Sequence, residues 1–135
     1  PSPFDEKPLL TDVIALNDSS FAIVGAEGAV LRIDPSSDCA ITSVLGAPKV
    51  LLSGITSVNT NRGDAVGDQG QGLDIRDHRA SDPITIMALG EKENLFDVEY
   101  GRDNQGRERL IIVGAHGLLV VGTNYPAPSP TVVTP

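Results

Sequence analysis

Three stretches of the chain are variants of one another, and this repetition constrains the fold more than any other feature. They read FAIVGAEGAVLRI from residue 21, GDAVGDQGQGLDI from residue 63 and LIIVGAHGLLVVG from residue 110. Each contains the motif Val-Gly-x-x-Gly, whose first glycine recurs after 42 and then 47 residues, at Gly25, Gly67 and Gly114. A repeat of this length indicates units that must stack on their neighbours to bury their apolar faces.

The similarity extends to both sides of the motif. Apolar segments precede it at residues 11–16, 55–58 and 96–100, and others follow it at 41–44, 84–87 and 131–133. Clusters of Asn, Asp, Ser and Gly lie between the first segment and the motif, where they favour tight reversals of the chain. The only helix-like stretch, residues 90–95, is too short to alter the prediction. Each unit therefore predicts four short antiparallel strands, and we expect an all-β fold.

The motif itself predicts a hairpin turn, because two residues separate its glycines and Gly adopts unusual backbone angles at little steric cost. In the three units these residues are Ala26 and Glu27, Asp68 and Gln69, and Ala115 and His116.

Four-stranded units of this length are typical of β-propeller blades. An ordinary β-sandwich also has short strands and glycine turns, but the repeat favours the propeller. We expect an extended N-terminal segment at 1–8 and blades at 9–48, 49–92 and 93–135, with a Pro-rich loop at 126–130. The runs 110–113 and 118–121 are apolar at successive positions, which predicts strands packed between two neighbouring blades.

Three blades are fewer than the roughly four to eight that close a propeller. Two apolar sheet faces would then stay open. We therefore expect one of two arrangements. Either the chain supplies part of a six- to eight-bladed propeller in a longer or processed polypeptide, or it is a self-associating half-propeller that forms a homodimer.

The stretch Val24-Gly25-Ala26-Glu27-Gly28, continuing to Asp34, resembles the BNR (Asp-box) repeats of sialidase-like propellers. It is closer still to the blades of photosystem II assembly-factor propellers, whose repeats read roughly VGxxGxIxxSxDGGxxW. The resemblance covers most of the chain in three copies, although the chain has no Trp and its Asp-box is degenerate at 34–38 and 77–82. It implies the blade architecture and transfers no function.

Composition restricts the classes of partner that the chain can bind. A net charge of -8 and a pI of about 4.5 lack the basic footprint of a nucleic-acid-binding protein. No apolar run approaches the roughly 20 residues of a membrane span. Cys39 is the only cysteine, which excludes an internal disulfide. The Pro-rich ends resemble connectors of exported multidomain proteins, which favours a periplasmic or extracellular location.

The sequence offers little chemistry. His78 and His116 occupy different positions of different units, so we expect no metal site built on them. We expect no cofactor; the alternative is calcium bound by the acidic stretch Asp64, Asp68, Asp74, Asp77 and Asp82. No Gly-x-Ser-x-Gly elbow occurs, and no catalytic residue is predicted. The arginines at 102, 107 and 109 crowd around one turn, which is typical of solubilising charges.

We therefore expect a non-enzymatic scaffold that binds a protein partner or further propeller blades. In propellers the turns between second and third strands gather on one rim, so the predicted binding residues are Ala26, Glu27, Asp68, Gln69, Ala115 and His116. Two alternatives stay open. One is a sialidase-like or glycan-binding propeller whose site lies largely outside this chain, and the other is a purely structural module of an exported protein.

Overall fold

A computed structural model describes residues 8–17, 20–59, 62–76, 84–87, 89–122 and 131–133. Within these ranges the chain forms twelve β-strands and four short 3₁₀ turns, with no α-helix. The prediction of an all-β chain is confirmed. The Pro-rich loop at 126–130, most of the N-terminal segment, and His78, Asp77 and Asp82 lie outside the described residues.

The strands form three antiparallel sheets of four strands, each paired in chain order. The first sheet contains β1 (Leu10–Asn17), β2 (Ser20–Gly25), β3 (Val30–Asp34) and β4 (Ala40–Ser43). The second contains β5 (Leu52–Asn59), β6 (Arg62–Gly67), β7 (Gly72–Arg76) and β8 (Ile84–Met87). The third contains β9 (Leu95–Arg102), β10 (Glu108–Gly114), β11 (Leu119–Gly122) and β12 (Thr131–Val133).

The sequence repeat is also a repeat of strand register. The first glycine of each motif pairs with the residue that begins the first strand of its sheet: Gly25 with Leu10, Gly67 with Leu52, and Gly114 with Leu95. In all three sheets the register then shifts by one residue on the first strand, which is the signature of a β-bulge. The position after the bulge is Asp12, Gly54 or Asp97. Equivalent residues of the three sheets can therefore be compared one by one.

The sheets stack face to face and enclose two cores. The first core lies between the first and second sheets and includes Leu16, Val24, Ile55 and Ile75. The second lies between the second and third sheets and includes Val66, Val98 and Ile112. The first strands follow one another, because β1 contacts β5 and β5 contacts β9. Every residue of β6 is buried, since the second sheet is covered on both faces.

Among the described residues, the first and third sheets are each covered on one face only. Along β10, Leu110 and Ile112 are buried against the second sheet, whereas Ile111 and Val113 on the opposite face are exposed. Among the described residues no sheet covers the outer face of the third sheet, so residues 110–113 pack on one face only, and packing against a further blade stays a prediction. The described sheets do not close into a ring.

The two glycines of each motif serve different steric purposes. Gly25 has an extended backbone (φ −170°), and a Cβ at this position would lie 2.1 Å from the carbonyl oxygen of Leu9. Glu27 and Gly28 have φ of 57° and 70°, and the Ala29 N–H donates to the Ala26 carbonyl at 3.0 Å. Positive φ at both central residues is the geometry of a type I′ turn. The turn is therefore centred on Glu27-Gly28, one residue later than the motif predicts.

The steric account of the first glycine predicts a large cost for a single methyl group. In Gly67→Ala the new Cβ would lie 2.1 Å from the Leu51 carbonyl oxygen, and we expect a loss of about 2 kcal/mol or more in the free energy of unfolding. Gly101→Ala is the matched control, because nothing lies within 4 Å of that Cβ. Urea unfolding measures both variants. Equal stability of the two would contradict the steric account.

Candidate functional site

The three motif turns are anchored by one repeated hydrogen bond. The first residue of each turn donates its backbone N–H to the segment that precedes its own sheet. Ala26 donates to Leu9 O, Asp68 to Leu51 O and Ala115 to Asn94 O, each at 2.8 Å. Because donors and acceptors are main-chain atoms, the backbone of the turn is held in the same way whatever side chains it carries.

Short segments of chain join each turn to the next. Gly28 N–H donates to Val50 O at 2.8 Å, and the neighbouring carbonyl of Leu51 accepts from the second turn. Asn94 joins the second and third turns, because its side-chain Oδ1 accepts the Gln69 N–H at 3.0 Å while its carbonyl accepts the Ala115 N–H. The three turns therefore lie at one end of the molecule. We call this end the rim: the turns 26–28, 68–70 and 115–117 with the segments 48–51 and 91–94.

The six predicted binding residues all lie on the rim, in two groups. Glu27, Gln69 and His116 are exposed, and each has a φ close to 60° (57°, 60° and 58°). The residues before them (Ala26, Asp68 and Ala115) are partly buried, and each donates the anchoring hydrogen bond. The structure thus presents one exposed side chain per turn.

Two residues of the rim, Glu93 and Asn94, are not among the predicted binding residues. His116 Nδ1 lies 3.0 Å from Glu93 Oε2, and both side chains are exposed. Asn94 carries the link between two turns. Glu93 and Asn94 lie in the stretch 90–95, which has a helix-like composition but forms no helix. The repeat could have identified Asn94, because it directly precedes the third sheet as Leu9 and Leu51 precede the first two.

The rim has an acidic excess. Its carboxylates are Glu27, Asp68, Glu91 and Glu93, and its lysines are Lys49 and Lys92. Four negative and two positive groups give a formal charge of −2 when His116 is neutral. The rim is therefore a mixed surface with a negative bias.

The acidic stretch considered for calcium is divided by the fold. Asp64 and Asp74 pair across β6 and β7 on the face that meets the third sheet, with exposures of 0% and 5%. Arg62 lies beside them, its Nε 2.9 Å from Asp74 Oδ1 and 3.9 Å from Asp64 Oδ1. Asp68 lies on the rim instead. Across the part of the chain that the structure describes, no group of three or more His, Cys, Asp or Glu side chains is placed to hold a metal ion.

A second cluster of charges occupies the hairpin between β9 and β10, at the end opposite the rim. Asp103 accepts hydrogen bonds from the backbone N–H groups of Gln105 and Arg107, each at 2.9 Å. Its other oxygen lies 2.9 Å from Arg107 Nε and 3.1 Å from Arg109 Nη2. The backbone N–H of Arg107 contributes most to lowering the pKa of Asp103 below its ordinary value of 3.8. These arginines therefore hold the hairpin together as well as solubilising it.

The same hairpin bears on the sialidase-like alternative, which needs a Tyr nucleophile and arginines free to bind a carboxylate. Burial, followed by a hydrogen bond with Glu108, raises the pKa of Tyr100, which disfavours the phenolate. Arg102 lies 3.5 Å from Glu108, and Asp103 engages the other two arginines. The cations near Tyr100 are thus paired with carboxylates of the chain itself.

The residues that resemble an Asp-box end the third strand of the first sheet. Pro35–Ser37 forms a 3₁₀ turn, and Asp34 Oδ1 accepts the N–H of Ser36 at 3.0 Å and its hydroxyl at 2.6 Å. These two bonds satisfy the Ser36 donors within the turn.

Comparison with known proteins adds no identity: no protein family, no characterised protein and no solved structure shows significant similarity to this chain. In the described residues, none of the helical turns has the length and apolar character that crossing a membrane requires.

The buried charges predict a strong effect of one arginine. In Arg62→Met the carboxylates of Asp64 and Asp74 lose their buried cation, and we expect a loss of about 3–5 kcal/mol in the free energy of unfolding. Arg76→Met is the control: its side chain is 53% exposed and lies 3.5 Å from Asp74, so its loss should cost less than about 1 kcal/mol. Urea unfolding at neutral pH compares the two, and equal losses would show that Arg62 has no special role.

The lowered pKa of Asp103 predicts a pH-dependent contribution to stability. Its ionised form is favoured in the folded state, so the contribution is present in full above the unfolded pKa and is lost as the pH falls through the folded pKa. We expect Asp103→Asn to be less stable than the unmodified chain at pH 7. The difference should shrink below about pH 4, as measured by urea unfolding across pH. A difference that stayed constant down to pH 2 would contradict this assignment.

Proposed function

We propose that this chain is a non-enzymatic β-propeller segment that serves as a protein-binding scaffold, with the rim as its binding surface. One observation carries the proposal: three turns with the same backbone geometry and the same anchoring hydrogen bond display different side chains. Glu27, Gln69 and His116 occupy equivalent exposed positions. A regular frame with variable side chains is suited to an asymmetric contact with a partner.

The backbone of the three rim turns is held in place without a partner. Non-glycine residues at φ near 60° cost energy unless the surrounding structure fixes them. Here the anchoring bonds at 2.8 Å and the links through Val50 and Asn94 provide that fixation. A surface that loses little conformational freedom on binding retains more of its interaction energy as affinity.

The charge of the rim suggests the chemistry of the partner. Four carboxylates and two lysines favour a protein surface with an excess of Lys or Arg. Exposed charges of this kind govern the rate and specificity of association more than its final strength. We therefore expect binding that weakens as salt concentration rises.

The proposal is tested by introducing the same substitution, Gln to Lys, at either end of the molecule. Gln69→Lys alters the rim, and Gln105→Lys makes the identical change on the exposed β9–β10 hairpin. Proteins retained from an extract of the source cells by the unmodified chain are purified, and their affinities for both variants are measured by calorimetry. We expect Gln69→Lys, Glu27→Arg and Asp68→Arg each to weaken binding about tenfold, or roughly 1.4 kcal/mol.

Gln105→Lys should bind like the unmodified chain, and all four variants should keep the unmodified unfolding midpoint in urea. A partner whose affinity is the same for the rim variants as for Gln105→Lys would show that the rim is not the binding surface.

A further inference from the structure

Two apolar sheet faces of this chain are exposed, one at each end of the stack. The outer face of the first sheet includes Val13, 55% exposed, and Phe21, 38% exposed. The outer face of the third sheet includes Ile111, 38% exposed, and Val113, 43% exposed. The first of these two surfaces is called the leading face and the second the trailing face.

The repeat shows what kind of surface the leading face is. By strand register, Val13 and Ile23 are equivalent to Ile55 and Ala65 of the second sheet. Those two residues are only 4% and 0% exposed, because they pack on the first sheet. The leading face therefore has the position and apolar character of a surface that packs against a preceding sheet.

The trailing face is the counterpart. Val113 is equivalent to Val24 and Val66, which lie on the faces that cover the following sheet and are each 0% exposed. Within one chain, a surface of the trailing kind packs on a surface of the leading kind twice. The two open faces are therefore one surface of each type, and each lacks its counterpart within the described residues.

Side-chain hydrogen bonds between successive first strands run in the same direction. Asp12 Oδ2 of β1 accepts the N–H of Ile55 on β5 at 3.0 Å. Thr56 Oγ1 of β5 accepts the N–H of Tyr100 on β9 at 3.1 Å. Each first strand thus offers an oxygen to the backbone of the next one.

The third sheet carries acceptors at the same two positions. Asp97 is the equivalent of Asp12 and Glu99 that of Thr56, and both are exposed. Glu99 Oε1 accepts the Thr56 hydroxyl at 3.3 Å within the chain. Asp97 Oδ1 accepts its neighbour's N–H at 2.9 Å as Asp12 Oδ1 does, so the two carboxylates are held alike. Asp97 therefore presents an acceptor to a further first strand, on which Val13 occupies the position of Ile55.

We propose that the trailing face binds the leading face of a second copy of this chain, and that two copies close head to tail into a ring of six sheets. The second copy is the occupant because one chain carries both halves of the interface. Two copies joined by a twofold axis then cover all four open faces. Six sheets fall within the range of about four to eight found in closed propellers. This inference goes beyond the rim function and does not depend on it.

The first test is the native mass of the chain. We expect native mass spectrometry and light scattering to give twice 14.1 kDa. Val13→Asp and Val113→Asp each place a charge in the proposed interface, and each should weaken the dimer at least about 100-fold. Leu45→Asp is the control, because Leu45 is 82% exposed outside both faces and its replacement should leave the dimer intact. Circular dichroism checks that all three variants fold.

The second test addresses the head-to-tail arrangement. Chains with Cys39→Ser carry either Val13→Cys or Val113→Cys and are treated with a short bis-maleimide. We expect covalent dimers only when the two kinds of chain are mixed. Homotypic cross-links alone would overturn the arrangement, and a folded monomer at 100 μM would overturn the dimer. The Gln69→Lys rim variant should keep the dimer mass, so the two proposals can fail separately.

Discussion

The fold depends on one hydrogen bond that recurs in every unit, from the first residue of the motif turn to the carbonyl that precedes the first strand. Ala26 and Leu9 form it in the first sheet at 2.8 Å. It brings the beginning of the first strand so close to the turn that no Cβ fits at Gly25. The bulge in the first strand, the type I′ turn and the position of the rim all accompany this approach.

The sequence was informative about strands and turns because their determinants are local. The motif predicted the hairpins, and the flanking apolar segments predicted the strands of each sheet, through glycine sterics and alternating burial. The prediction placed the turn one residue early, at Ala26-Glu27. Spacing alone does not reveal that Gly25 is chosen for its lack of bulk, since that requirement comes from Leu9, distant in sequence.

Contacts between units could not be predicted in this way. Asp64 and Asp74 looked like surface or calcium-binding carboxylates, yet they lie buried beside Arg62 because the third sheet covers them. Equivalent positions in the first interface hold Ala22 and Arg32, so the repeat offers no precedent for this cluster. The pairing of His116 with Glu93 likewise depends on how residues 91–94 cross the rim.

The links between successive turns differ in kind. The first and second turns are joined by main-chain atoms of Val50 and Leu51, whereas the second and third depend on the side chain of Asn94. A link made by the main chain survives nearly any substitution, but one made by an amide side chain is erased by a single change at residue 94. The spacing of the last two turns is therefore open to mutation in a way that the spacing of the first two is not.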